Sequence, residues 1–177
     1  KQYLDGIEEA FDLYFLIGDM DSACQLATQA ARTLEDHDPG TKDSSLFHAL
    51  ALKVMVLQNK DEPGMSGLLG DALALSKKQD NKLAETEVCD AYANYYILKT
   101  MTCEARAWSQ RAIDTMGSHG NDSLSDQFRL INVKNTNTQT FFFAGEHDAA
   151  IDRWKDVLLS MKRLEKAGTS DLERILI

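Results

Sequence analysis

A chain of 177 residues, 44% hydrophobic and 27% charged, has the composition of a soluble globular protein and can bury one core or a short row of repeats. A formal net charge of −9 excludes general nucleic-acid binding and a polybasic membrane surface, since both need clustered Lys and Arg. No apolar run approaches the ~20 residues of a membrane span. The 3 cysteines, Cys24, Cys89 and Cys103, show no pairing pattern, which predicts reduced thiols in an intracellular protein, cytoplasmic or nuclear.

With only 2 prolines, long helices can run uninterrupted. The first is predicted over 3–17, with Ile7, Ala10, Phe11 and Tyr14 on its packed face. Gly18 ends it, and Asp19 or Asp21 caps a second helix over 20–34, before the stop His37-Asp38-Pro39-Gly40. Asp43-Ser44-Ser45 opens the third helix. Its Leu46, Phe47, Leu50, Leu52, Val54, Met55 and Leu57 cover nearly the whole circumference and predict the most buried helix. A turn over 59–64 leads to a fourth helix carrying Leu68, Leu69, Ala72, Leu73 and Leu75. Gly64, Gly67 and Gly70 imitate a phosphate loop, but neither the Gly-Lys-Ser/Thr ending nor a preceding strand is present.

The fifth helix, 83–99, turns Val88, Cys89, Tyr92, Tyr96 and Ile97 inward, and the sixth runs over 103–116 to a loop at Gly117–Asp122. The seventh spans 124–143 and the eighth 148–166, with Gly168 as its stop. Ser170-Asp171 caps a last helix cut short within Leu172, Ile175, Leu176 and Ile177, so the chain reads as a piece of something longer. Trp108 and Trp154 fall on core stripes, Cys24 and Cys103 read as small packing residues, and His48 sits in a buried-looking helix. Asn121-Asp122-Ser123 matches a glycosylation acceptor of the kind that arises by chance.

Three stretches share one grammar: Gly18-Asp19-Met20-Asp21-Ser22-Ala23, Thr100-Met101-Thr102-Cys103-Glu104-Ala105 and Gly145-Glu146-His147-Asp148-Ala149-Ala150. Each is a turn, with Thr100 in the glycine place, then a small residue where two helices cross, then an apolar stripe. Gly67 takes the small place in the remaining unit, giving spacings of 44, 38 and 45 positions. Through Tyr14, Gly18, Ala23, Ala27 and Ala30, then Ala93, Tyr96, Ala105 and Ala112, then Phe141, Gly145, Ala150 and Trp154, the chain resembles the tetratricopeptide repeat family. Its units are longer than that family's ~34 residues, and the unit around 47–75 departs from the pattern.

The resemblance implies one all-α domain, a right-handed superhelix of about four antiparallel hairpins over 3–36, 44–79, 83–116 and 124–166, plus a truncated C-terminal helix. It also implies a concave groove, lined by the first helix of each hairpin, that holds partner proteins or peptides. The groove face would present Asp5, Glu8 and Asp12, then Glu87, Asp90 and Asn94, then Asn132, Asn135 and Gln139. Family members that grip C-terminal carboxylates use Lys and Arg there, so acidic and amide residues exclude that activity.

The run Asn132–Thr140 has poor helix propensity yet stands where the repeat demands a helix, a conflict expected at functional surfaces. Asn94, Asn135 and Gln139 could bond the backbone of an extended peptide, because amides donate and accept at once. The acidic residues Glu8, Asp12 and Asp90 would draw a basic segment of the partner. The 4 histidines show no metal-ligand spacing, no nucleophile elbow is present, and no cysteine carries a catalytic motif. A non-enzymatic interaction scaffold without metal or cofactor is expected. The alternatives are a sensor domain of a larger intracellular regulator, closing on a small ligand or signalling peptide, and an architectural segment docking neighbouring repeats of a parent chain.

Overall fold

One turn geometry, used four times, sets where the helices stop. The computed structural model describes residues 2–38, 40–58, 64–119 and 123–175, with side chains for those within 4–166. Among them lie eight helices and no strand. They are α1 (Gln2–Ile17), α2 (Met20–His37), α3 (Lys42–Leu57), α4 (Met65–Lys78), α5 (Lys82–Leu98), α6 (Thr102–His119), α7 (Leu124–Phe143) and α8 (His147–Ile175). At the ends of α1, α4, α5 and α7 one residue adopts positive φ: Gly18, Asp80, Thr100 and Gly145. The next amide then donates back across the turn, Asp19 N to Tyr14 O and Glu146 N to Phe141 O, each at 2.9 Å. That bond satisfies carbonyls that a helix end leaves orphaned.

Thr100 does occupy the glycine place, at φ 59°. A β-branched residue there is strained, by about 1–2 kcal/mol on general grounds. Thr100→Gly is therefore expected to stabilise the chain by about 1 kcal/mol, raising Tm by ~2–4 °C in a thermal melt. An unchanged or lower Tm would show that no strain is stored at this turn.

Each helix packs on the next, and α5 also packs on α3 at one side and α7 at the other, forming a row. Helices α3 and α5 are enclosed on most sides. In α3 the buried run is 49–54 with Leu46, Phe47 and Val56, and in α5 it is the whole of 84–94. The third helix thus shares its depth with the fifth, whose buried stretch includes Glu85, Glu87, Asp90 and Asn94. Phe11, Phe47, Leu50 and Val88 belong to one continuous core.

Several expectations change. The small-residue place is filled by Ala23, Ala105 and Ala150, all fully buried. Gly67 does not fill it in α4: it is exposed, and a Cβ there would meet nothing. Met65, Leu69, Ala72 and Ser76 face inward instead, at the spacing of Ala105, Ser109, Ala112 and Met116 in α6. Met65 therefore takes in α4 the buried place that Ala105 takes in α6.

Helix α8 runs unbroken through Gly168, since one glycine costs a helix only about 1 kcal/mol. Likewise α6 continues through Gly117 to His119. The cap of α3 is Thr41, whose Oγ1 accepts from Ser44 N at 3.2 Å, and Asp19 caps α2 through Ser22 N at 3.1 Å. His48 and Cys103 are exposed, and Tyr14, Trp108 and Trp154 are only partly covered. The turn over 59–63, the Asn121-Asp122 pair and the side chains of Leu172, Ile175, Leu176 and Ile177 lie outside the described residues.

Candidate functional site

Three pairs of polar residues at i, i+3 or i, i+4 stand on alternate helices: Glu8 and Asp12 on α1, Glu87 and Asp90 on α5, Ser125 and Arg129 on α7. That spacing puts both members of a pair on one helix face. The three faces are joined through Lys53 of α3 and Arg129 itself. Lys53 Nζ lies 2.8 Å from Glu87 Oε2 and 2.8 Å from Asp90 Oδ2. Arg129 then continues the chain, its Nη1 at 3.3 Å from Glu87 Oε1 and its Nη2 at 3.1 Å from Glu8 Oε2. Its Nε donates to Ser125 Oγ at 3.3 Å, and that hydroxyl donates to Asp12 Oδ2 at 2.7 Å. One network thus ties the first hairpin to the last, across more than a hundred residues of sequence.

Lys53 is 4% exposed and Arg129 2%, so both cations are held away from water. Burial alone lowers the pKa of each. Asp90 and Glu87 outweigh that at Lys53, and Glu87, Asp12 and Glu8 at Arg129, so both bind their protons more firmly than usual. Burial pushes Glu87 up, but Lys53 and Arg129 beside it hold it below the ordinary carboxylate range.

Glu8 and Asp12 go the other way. Burial raises both, Asp12 and Asp43 raise Glu8 further, and Arg129 offsets only part of this. Four carboxylates, Glu8, Asp12, Glu87 and Asp90, are therefore set against two cations, Lys53 and Arg129.

Beside this network a cleft of about 830 Å³ opens between α1 and α7. One wall is α1, presenting Asp5, Glu8, Glu9, Asp12, Leu13 and Leu16. The other is the start of α7, with Leu124, Ser125 and Phe128, closed at one side by Leu164 of α8. Acidic and leucine surface thus alternate along a single helix.

Of the residues expected to line a groove, Glu8, Asp12 and Asp90 are brought together in the network. Asn94 is not offered outward: it is 7% exposed, and its Nδ2 donates to Asp90 O at 2.9 Å. Asn135 Oδ1 accepts from Trp154 Nε1 of α8 at 3.0 Å, while Asn132 and Gln139 are half-buried.

The amide and threonine run proves to be largely interior. Thr136, Asn137, Thr138 and Thr140 are buried, and the threonine hydroxyls donate to carbonyls three or four residues back. This back-bonding satisfies the hydroxyls inside a helix that propensity disfavours. Asn137 bonds Ser109 Oγ at 2.9 Å and Arg153 Nη1 at 3.0 Å.

Sequence reading missed Lys53 and Arg129. Each is a single cation in an apolar run, Leu50-Ala51-Leu52-Lys53-Val54-Met55-Val56 and Phe128-Arg129-Leu130-Ile131. A lone charge so placed signals a buried partner, because an unpaired one would be prohibitive.

Among the described residues no group of three or more His, Cys, Asp or Glu is placed to hold a metal. No described helix is long and apolar enough to cross a membrane. Cys89 is buried, and burial pushes its thiol up to about 12, which keeps it out of thiolate chemistry. A comparison with protein-family models finds no match to this chain, and a comparison with curated proteins finds none either.

Proposed function

We propose that the chain is a non-enzymatic interaction domain, a tetratricopeptide-like superhelix that holds a peptide or helix of a partner protein on the side lined by α1, α3, α5 and α7. The observation that carries this reading is the cleft between α1 and α7, acidic and apolar together, where the first and last hairpins face each other. Clefts lined by both kinds of surface suit recognition, with apolar area for affinity and charge for steering and choice of partner. Glu8 and Asp12 belong to that surface. Asp90 and Asn94 stand behind it as support, whereas Asn132 and Gln139 lie further along α7, outside the lining of the cleft.

A second reading has its own observation. Ile151, Leu158 and Leu159 leave α8 with half-exposed apolar surface, which fits docking of a neighbouring unit in an assembly. One experiment separates the two. A photo-crosslinking residue replaces either Leu16, in the cleft, or Leu158, on α8, and partners are captured from native lysate. Adducts at position 16 alone are expected. Adducts at position 158 alone would move the function to the outer face.

A further inference from the structure

We propose that the cleft between α1 and α7 takes an amphipathic helix of a partner protein, its Arg or Lys side chains against Asp5, Glu9 and Asp12 and its leucine-type residues over Leu13, Leu16 and Phe128. The proposal rests on the groove reading above and names the chemistry of the partner.

The first argument is charge. Four carboxylates in the network face two cations, and Asp5 and Glu9 add two more at the rim. Partly buried charge needs compensation, and here the deficit is positive charge. The chain keeps this arrangement at a cost to its own folding. The ionised forms of Glu8 and Asp12 are disfavoured in the folded state by burial, which Arg129 and, at Asp12, the Ser125 hydroxyl offset only in part. Residues that destabilise a fold are characteristic of binding surfaces.

The second argument is apolar area. Leu13 and Leu16 are 58% and 62% exposed beside those carboxylates. A small cation or polyamine would leave them uncovered, and an anionic lipid surface would be repelled.

The third is period. Asp5, Glu9, Asp12 and Leu16 recur at i, i+4, i+7 and i+11, a stripe about 16 Å long with the pitch of an α-helix. A partner helix of about three turns repeats its own side chains at the same pitch, so basic and apolar groups meet acidic and apolar groups in step.

The test uses the full chain and three fluorescent 18-residue helical peptides, read by anisotropy. One carries a leucine stripe flanked by arginines. A second has glutamates for the arginines, and a third has glutamines for the leucines. The leucine–arginine peptide is expected to bind at least tenfold more tightly than either other. The variant Asp5→Asn/Glu9→Gln/Asp12→Asn is expected to lose tenfold or more of that affinity while its Tm does not fall, and Leu16→Ser to lose affinity with an unchanged fold.

Equal binding of the glutamate peptide, or unchanged binding by the charge-neutralised variant, would overturn the proposal. So would self-association by sedimentation that the same variant abolishes, since a second copy would then be the occupant. If the peptides fail while photo-adducts still form at position 16, the groove reading stands and this one falls. Adducts at position 158 alone would remove the groove reading itself.

Discussion

Lys53→Met is expected to cost about 3–5 kcal/mol at neutral pH, the usual penalty for breaking a buried ion pair from one side. A typical domain has only ~5–15 kcal/mol to lose. The ammonium is nearly sealed, and its two carboxylate partners, each 2.8 Å away, are 1% exposed. Methionine fills similar volume, so what is lost is charge. Glu87 keeps Arg129, but Asp90 is left buried without its cation.

The pH dependence identifies the cause. Lys53 has a raised folded pKa, so its contribution is fully present below the unfolded value of about 10.4 and is lost only as pH rises through the higher folded one. Glu87 has a depressed folded pKa, so its contribution is present above about 4.3 and is lost as pH falls through the lower folded value. As pH falls through that lower value Glu87 takes up its proton and Lys53 loses the charge it compensates, so the cost of Lys53→Met should shrink in acid. Urea unfolding at pH 7 and near pH 3 measures it. An equal cost at both would mean that Lys53 matters through packing alone.

What could be read in the sequence divides along the range of the interactions. Turns and caps are local, and Gly18, Asp19, Gly145 and even Thr100 in a glycine place were legible because a few adjacent residues decide them. The phase of α4 was not. Its run Gly67-Leu68-Leu69-Gly70-Asp71-Ala72-Leu73-Ala74-Leu75 offers apolar residues on more than one face, and only packing selects Met65, Leu69 and Ala72 over Leu68 and Leu75. The end of α8 was misjudged because Gly168 looks like a stop, whereas its penalty is within reach of the bonds on either side.

The candidate site was half legible. The carboxylates of α1 and α5 showed as helix faces by spacing. Their partners lie 34 to 121 positions away, at Lys53 and Arg129, and no local pattern pairs them. The acidic face was therefore expected open along its length, while in the fold part of it closes onto α7. The amide run failed for the opposite reason. Polarity suggested a surface, but threonines that bond their own helix and asparagines that bond neighbouring helices can be interior.

Arg129→Met is the second large effect expected, about 3 kcal/mol, and it should fall unevenly on the structure. Arg129 is the centre of the clasp between α1 and α7. It reaches Glu87, Glu8 and Ser125 at once, and Ser125 reaches Asp12. Phe11 and Phe15 tie α1 to the core, but Leu13, Leu16 and Ile17 are 58%, 62% and 65% exposed, so much of its apolar surface adds nothing to that hold.

Losing the clasp should therefore let α1 open below the global unfolding free energy. Amide hydrogen exchange should show α1 losing protection first, with α3 and α5 following only as the whole chain unfolds. Arg129→Lys retains the charge but cannot spread one ammonium over three partners, so it should recover only part of the loss. Protection lost equally in α1, α3 and α5 would show that Arg129 supports the whole core, and that the first hairpin is not held by the clasp. The same helix forms the wall of the cleft. A chain with α1 detached should bind a basic amphipathic helix less well even though every carboxylate facing it is still present, because the stripe is no longer held opposite Phe128 and Leu164.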